Sequence, residues 1–158
     1  MIIEAEVGYI GTSSKMLDEV PEDVSEVLPT PKDVQNFIEQ TGVHAVAPAV
    51  GNLHGMLKGR ANPALNIELI KNIREAIGNA GMVLHGGSGL TDEDFQNAIQ
   101  SGMNVVHINT EIRAAYRKGI ETGLQANEEE IAPYRYLNYG QDAVYEVVKQ
   151  RLALFSNK

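Results

Sequence analysis

The chain has 158 residues, no cysteine, 43% hydrophobic content and a formal net charge of −8. That length suits a single globular domain, and the acidic balance excludes a nucleic-acid-binding surface, which needs clustered Lys and Arg to displace counterions from phosphates. Without thiolates, any metal must be held by His, Asp, Glu or backbone oxygen. No apolar run reaches bilayer-spanning length, and Met1 precedes a strand-like Ile2–Glu6 rather than a basic and apolar leader, so the expectation is a cytoplasmic protein with no membrane partner.

In chain order, the first apolar run, Ile2 to Val7, predicts a strand. The stretch Gly11 to Pro31 has neither helical nor strand period and sets Asp18, Glu19, Glu22, Asp23 and Glu26 against one Lys15. It reads as a solvated, mobile acidic loop, with a lid as the second reading. Thr30-Pro31 then opens a helix whose Val34, Phe37 and Ile38 share a face. A strand over Ala45 to Val50 and a helix from about Asn66 to Ile77 follow. Met82 to His85 is the third strand; after Gly86-Gly87-Ser88-Gly89 comes a helix capped by Thr91, with Asp94 three residues on. Val105 to Ile108 is the fourth strand. A helix begins near Glu111, and a last amphipathic helix, Gln141 to Phe155, carries Val144, Val147, Val148, Leu152 and Phe155.

Four βα units and a terminal helix define an α/β protein with a parallel sheet and helices packed outside it. Four strands cannot close a barrel, whereas eight do. The pattern therefore fits half of a (β/α)8 barrel, a half that pairs with another chain, or a small open sheet.

Three strands end in polar residues poorly suited to packing. These are Gly51-Asn52-Leu53-His54-Gly55, His85-Gly86-Gly87-Ser88-Gly89 and His107-Ile108-Asn109-Thr110-Glu111. Parallel strands gather their carboxyl ends on one rim, where barrel and open-sheet enzymes build their sites. A single histidine at such a place is more often a hydrogen-bonded structural residue than a ligand. Two on neighbouring strand ends, each beside glycines, suit a zinc site that takes further ligands from elsewhere. His44 lies at the opposite end of its strand and is given no role. The glycine-rich turn before the Thr91 helix offers backbone N–H groups and a positive dipole end to an anion.

Together with Glu4-Ala5-Glu6-Val7-Gly8-Tyr9-Ile10-Gly11, these segments resemble, in order and over nearly the whole chain, the class II fructose-bisphosphate and tagatose-bisphosphate aldolases. The resemblance implies one domain over 1–158, the C-terminal half of a TIM barrel, equivalent to strands five to eight. It implies that His54 and His85 are zinc ligands and that Glu6 contacts a second or displaced metal position. Gly55, Gly86, Gly87 and Ser88, with His107, Ile108, Asn109 and Thr110, match the segments that bind the dihydroxyacetone phosphate end of a sugar phosphate. Through backbone oxygens they also match those that hold a monovalent cation, Na+ or K+. The implied reaction is a step of carbohydrate metabolism, in glycolysis: reversible cleavage of fructose or tagatose 1,6-bisphosphate to dihydroxyacetone phosphate and glyceraldehyde 3-phosphate. Zinc serves as Lewis acid, so no lysine Schiff base is required.

The family's third zinc histidine and catalytic aspartate lie together on an earlier strand, and no His-x-Asp-His segment occurs here. No catalytic residue is therefore assigned in this chain, which is expected to be a fragment inactive by itself. Thr12-Ser13-Ser14 stand where the family often has acidic residues, His107 where it usually has asparagine, and Tyr134 directly after Pro133 where it has a phosphate-binding arginine, with Arg135 one place later. The alternative reading is a non-catalytic half-barrel that binds phosphate or assembles with another half-barrel.

A half-barrel exposes a sheet edge and an inner barrel face, so the isolated chain is expected to form homo-oligomers or to be marginally stable. Sedimentation of a dilute sample as a compact, cooperatively unfolding monomer would count against the half-barrel reading.

Overall fold

The computed structural model describes residues 1–24 and 28–156. Glu26 of the acidic segment, the side chain of Asp23 and the last two residues of the expected 1–158 domain lie outside the described residues. The chain divides into two units, Met1–Ile108 and Asn109–Lys158.

The first unit contains β1 (Glu4–Val7), β2 (Met16–Leu17), a 3-10 turn (Glu22–Val24), α1 (Pro31–Thr41), β3 (Ala45–Pro48) and β4 (Met56–Leu57). It continues with α2 (Ile67–Ile77), β5 (Gly81–Leu84), α3 (Asp92–Gln100) and β6 (Val105–Val106). β1, β3, β5 and β6 form one parallel sheet in that order. Each crossover is a helix, which is what parallel neighbours require. Val46 and Ala47 of β3 and Met82, Val83 and Leu84 of β5 are buried, so these inner strands are continuous apolar runs covered on both faces. β1 alternates instead: Glu4 and Glu6 are exposed, while Ala5 and Val7 are half-buried. A period of two puts both glutamates on one face of the strand. The helices cover the sheet with Val34 of α1, Ile70 and Ile73 of α2, and Phe95 and Ala98 of α3.

Helix entries follow their local chemistry. Thr30 caps α1 and Thr91 caps α3, each accepting from the backbone N–H three residues on, and the aspartate at that position returns a bond to the cap backbone. Asn66 caps α2 by accepting from the Leu69 N–H at 2.9 Å.

Two expectations for this unit are revised. The acidic segment contains β2, which pairs in parallel with β4, Met16 opposite Met56 and Leu17 opposite Leu57. A two-residue ladder is too short to leave a periodic trace in sequence. β6 is also shorter than Val105 to Ile108, although the His107 N–H still donates to the Leu84 carbonyl at 2.9 Å.

The second unit is an antiparallel pair, α4 (Thr110–Ala126) and α5 (Pro133–Ser156). Three glycines set its close approach. A β-carbon on Gly119 would strike the Tyr139 carbonyl, one on Gly123 would come within 2.7 Å of the Tyr136 carbonyl, and one on Gly140 within 2.8 Å of the Tyr116 ring. At the far end Arg151 grips Glu111 with two bonds of 2.8 and 2.9 Å, both side chains largely withdrawn from solvent. α5 begins eight residues earlier than the periodicity from Gln141 suggests. Pro133 suits a first turn, and Gly140, a weak helix former, is retained because the contact needs it. Of the expected apolar stripe, Val144, Val147 and Phe155 are half-buried, whereas Val148 and Leu152 are exposed.

The Asp33 carboxyl is held below its ordinary value, first by the Thr30 hydroxyl and then by the Thr30 backbone N–H. A depressed carboxylate stabilises the fold above the unfolded-state value, about pH 4, and loses that contribution as pH falls through the lowered folded-state value. The stability difference between the parent and Asp33→Asn should therefore be present at neutral pH and shrink on acidification below about pH 4. Urea titrations at a series of pH values would read this directly; a pH-independent difference would refute it.

Candidate metal centre

Parallel pairing aligns Glu6 with Ala47 and Val7 with Pro48, so β1 and β3 end together, and β5 ends beside them. Past β3, the buried Asn52 shapes the loop. Its Oδ1 accepts from the Val50 N–H at 2.8 Å and its Nδ2 donates to the His85 carbonyl at 2.9 Å, tying the loop after β3 to the end of β5. His54 follows. Its backbone N–H donates to the Ile10 carbonyl at 2.7 Å, and its Nδ1 lies 2.8 Å from the Gly11 carbonyl. A carbonyl can only accept, so Nδ1 carries the proton and Nε2 keeps a lone pair for a ligand or metal.

His85 is flanked by both glutamates of β1. Nδ1 is 2.9 Å from Glu6 Oε2, and Nε2 is 2.8 Å from Glu4 Oε1. The His85 ring stacks on His54 at 6.0 Å between centroids and on His107 at 4.9 Å. Two overlapping donor sets result: Glu6, His54 and His85, and Glu4, His85 and His107, the ligand atoms of each lying within 4.8 Å of one another. The first contains the three residues expected from sequence to meet a metal. Glu4 and the ligand capacity of His107 were not anticipated, although the i, i+2 spacing of Glu4 and Glu6 carries the signal that they share a face. His44 stays outside the rim, with its Nδ1 accepting from the Ile3 N–H at 3.2 Å.

The glycine-rich turn is built for close backbone approach. A β-carbon on Gly86 would collide with the Leu53 carbonyl, and its φ of 62° belongs to the left-handed region that favours glycine. Gly87 takes no positive φ, but a β-carbon there would lie 2.9 Å from the His107 carbonyl and 3.2 Å from the Phe95 ring. The Gly87 N–H donates to that same carbonyl at 3.2 Å. One of the amides expected to cradle phosphate is thus committed to the β5–β6 junction. Ser88 and Gly55 are buried, and Asn62 joins them: its Nδ2 donates to the Gly55 carbonyl at 3.0 Å and to the Ser88 carbonyl at 2.8 Å, while its Oδ1 accepts from the Leu57 N–H at 2.9 Å. Asn62, which the sequence reading passed over, is the organiser of this loop pair. Ile108 closes the first unit half-buried. Asn109 and the buried Thr110 open α4 in the second.

Parallel strands joined by helices, with His54, His85 and Glu6 gathered as candidate metal ligands toward their carboxyl ends, define a βα-barrel half. Its relatives make the family explicit. The sequence model of the family described as Fructose-bisphosphate aldolase class-II matches residues 1–158, and the chain belongs to that family. It is 35% identical over 153 residues to the fructose-bisphosphate aldolase of Staphylococcus aureus (strain Mu50), covering 97% of this chain and 51% of the relative. Against the Staphylococcus epidermidis (strain ATCC 12228) fructose-bisphosphate aldolase the identity is 33%, with the same coverage. The chain thus spans about half the length of the curated relatives it matches. The YdjI aldolase from Escherichia coli K12 superposes with a TM-score of 0.71 at 27% identity, over 99% of this chain and 48% of that one. Fructose-bisphosphate aldolase from Campylobacter jejuni gives 0.74 at 22% identity, over 98% and 51%, a likeness of fold. Among the described residues no helix is long and apolar enough to cross a membrane.

Because Asn62 satisfies three buried backbone groups, Asn62→Ala should destabilise the chain by roughly 2 kcal/mol or more, each orphaned buried group costing about 1–3 kcal/mol. Urea unfolding would check it, and a loss under about 0.5 kcal/mol would mean that water replaces the side chain without penalty.

Proposed function

We propose that this chain supplies half of a zinc-dependent class II ketose-bisphosphate aldolase site, acting on fructose or tagatose 1,6-bisphosphate within glycolysis in the cytoplasm. The observation that carries the reading is the convergence of Glu6, His54 and His85 at the carboxyl ends of parallel strands. Two imidazoles and a carboxylate are a donor set that suits zinc, and catalytic zinc sites commonly use three protein ligands of this kind. The ligand atoms of Glu6, His54 and His85, within 4.8 Å of one another, are the groups that would hold the ion. Zinc held there would supply Lewis-acid polarisation of a carbonyl oxygen.

The chain's own residues hold and aim this centre. The Gly11 carbonyl fixes the His54 tautomer, the β1 carboxylates orient His85, and Asn52 ties the two histidine-bearing loops together. Backbone at Gly55, Gly86, Gly87 and Ser88, with His107, Ile108, Asn109 and Thr110, is assigned to the dihydroxyacetone phosphate end and, through its carbonyls, to Na+ or K+. Since the Gly87 N–H is engaged by His107, phosphate binding at the turn draws on other donors or displaces that bond. The third histidine and the proton-transferring aspartate come from barrel strands outside this chain, so cleavage requires a barrel completed by complementary strands that carry them.

Calorimetric titration with Zn2+ should show one equivalent bound, at least tenfold more weakly in His54→Ala; equal affinity in that variant would refute the metal assignment. Carbon–proton exchange on dihydroxyacetone phosphate should appear when the chain is co-expressed with the uncovered half of the S. aureus relative. Phosphate binding without exchange in that complex would favour the non-catalytic half-barrel instead.

A further inference from the structure

Residues 54–58 run beside residues 10–17 and divide their backbone groups between two neighbours. The N–H groups of His54, Met56 and Lys58 donate to the carbonyls of Ile10, Lys15 and Leu17 at 2.7, 3.0 and 2.9 Å. The intervening Gly55 carbonyl and Leu57 N–H turn the other way, to the buried Asn62. The β2–β4 ladder is thus part of a longer seam that starts at the metal-ligand candidate His54. Gly55 lets the two segments meet: its φ is 105°, and a β-carbon there would stand 2.7 Å from the Lys15 carbonyl and 2.9 Å from the Ser13 carbonyl. Beyond the ladder Lys58 Nζ reaches Asp18 at 2.9 Å, but with the side chains 55% and 84% exposed that ion pair contributes little. The seam is therefore made by backbone. It holds His54 twice, because the backbone N–H and Nδ1 of that residue bond the consecutive carbonyls of Ile10 and Gly11. Those two bonds set the direction of the Nε2 lone pair, and partners that orient a ligating imidazole typically change metal affinity by about 10–100-fold.

We propose that the segment from Ile10 to Leu17 is a backbone clamp for His54, so that closing the seam and binding the metal are linked. The inference rests on the metal reading of Glu6, His54 and His85 and adds to it a positioning role for Gly55 and for the bond from the Lys58 N–H to the Leu17 carbonyl. Linkage is reciprocal: whatever factor the closed seam adds to metal affinity, the bound metal adds to closure of the seam. Asn62 holds the other side of residues 55–57, so opening the seam releases His54 from the Ile10 and Gly11 carbonyls while the remainder of its loop stays anchored. The acidic segment then serves as a strap, and its fastening at Lys15 and Leu17 sets how tightly the ion is held.

Calorimetry and amide hydrogen exchange on the full chain, with Zn2+ as probe, test the clamp from both sides. Zn2+ should slow exchange of the His54, Met56 and Lys58 amides of the parent by about tenfold or more, leaving unchanged the Gly81 amide, which bonds the His44 carbonyl at the opposite end of the sheet. In His54→Ala the Met56 and Lys58 amides should lose that response. Conversely, Gly55→Ala, and Lys58→Pro, which removes the N–H that bonds Leu17, should each weaken Zn2+ binding by about tenfold or more. Lys58→Met keeps the N–H and drops the ion pair, and should bind within about twofold of the parent. Thermal melts identify a variant that fails to fold, and the exchange measurements on the parent decide the matter if both seam variants do. If Zn2+ binds but leaves the seam amides unchanged, slows Gly81 equally, or binds folded Gly55→Ala and Lys58→Pro as it binds the parent, there is no clamp, while the metal centre stands. If Lys58→Met weakens binding as much as Lys58→Pro, the ion pair makes the link and the backbone clamp is refuted. A parent that binds no Zn2+ overturns the clamp and the metal centre together.

Discussion

Parallel strand pairing is the constraint on which the rest of the first unit depends. In an antiparallel sheet the ends of β1, β3 and β5 would point in alternate directions, and Glu6, His54 and His85 would never meet. Parallel registers such as Glu6 opposite Ala47 instead bring residues that are 48 and 79 positions apart from Glu6 in sequence to one rim. Residues along β3 and β5 are buried, which makes the rim a stiff support.

On that support, buried asparagines do the local positioning. The Asn52 and Asn62 side chains bond only to backbone groups, some in their own loop and one each in the loop after β5, so each replaces several water contacts with fixed ones. Such fully satisfied buried polar groups are stable, and they specify one loop arrangement because any other would leave orphaned donors. The glycines at Gly86 and Gly87 complement them by letting the Leu53 and His107 backbones approach the turn. The histidines are thereby set by backbone geometry on both sides, and the carboxylates of β1 complete their surroundings.

The helical pair of the second unit uses a different principle. Its axes approach because three glycines remove side-chain volume, and the bidentate Arg151–Glu111 pair closes one end with planar, charge-assisted bonds. Exposed Val148 and Leu152 on α5 show that the apolar stripe exceeds what α4 covers.

Much of this was legible in the sequence. Alternating apolar runs and amphipathic segments determined a parallel α/β sheet, the Thr30 and Thr91 caps marked two helix starts to the residue, and His54 and His85 stood out as strand-end histidines beside glycines, whereas Glu6 was marked only by the family resemblance. These are local signals, carried by periodicity and by hydrogen-bonding groups a few residues apart. What only the tertiary structure decided was long-range. The β2–β4 ladder is two residues long, Gly140 reads as a helix breaker until Tyr116 is packed on it, and the pairing of Glu4 with His85 and of His85 with His107 depends on register across three strands. Sequence states which residues can bond; the distances that select among their partners arise only when strands far apart in the chain are brought side by side.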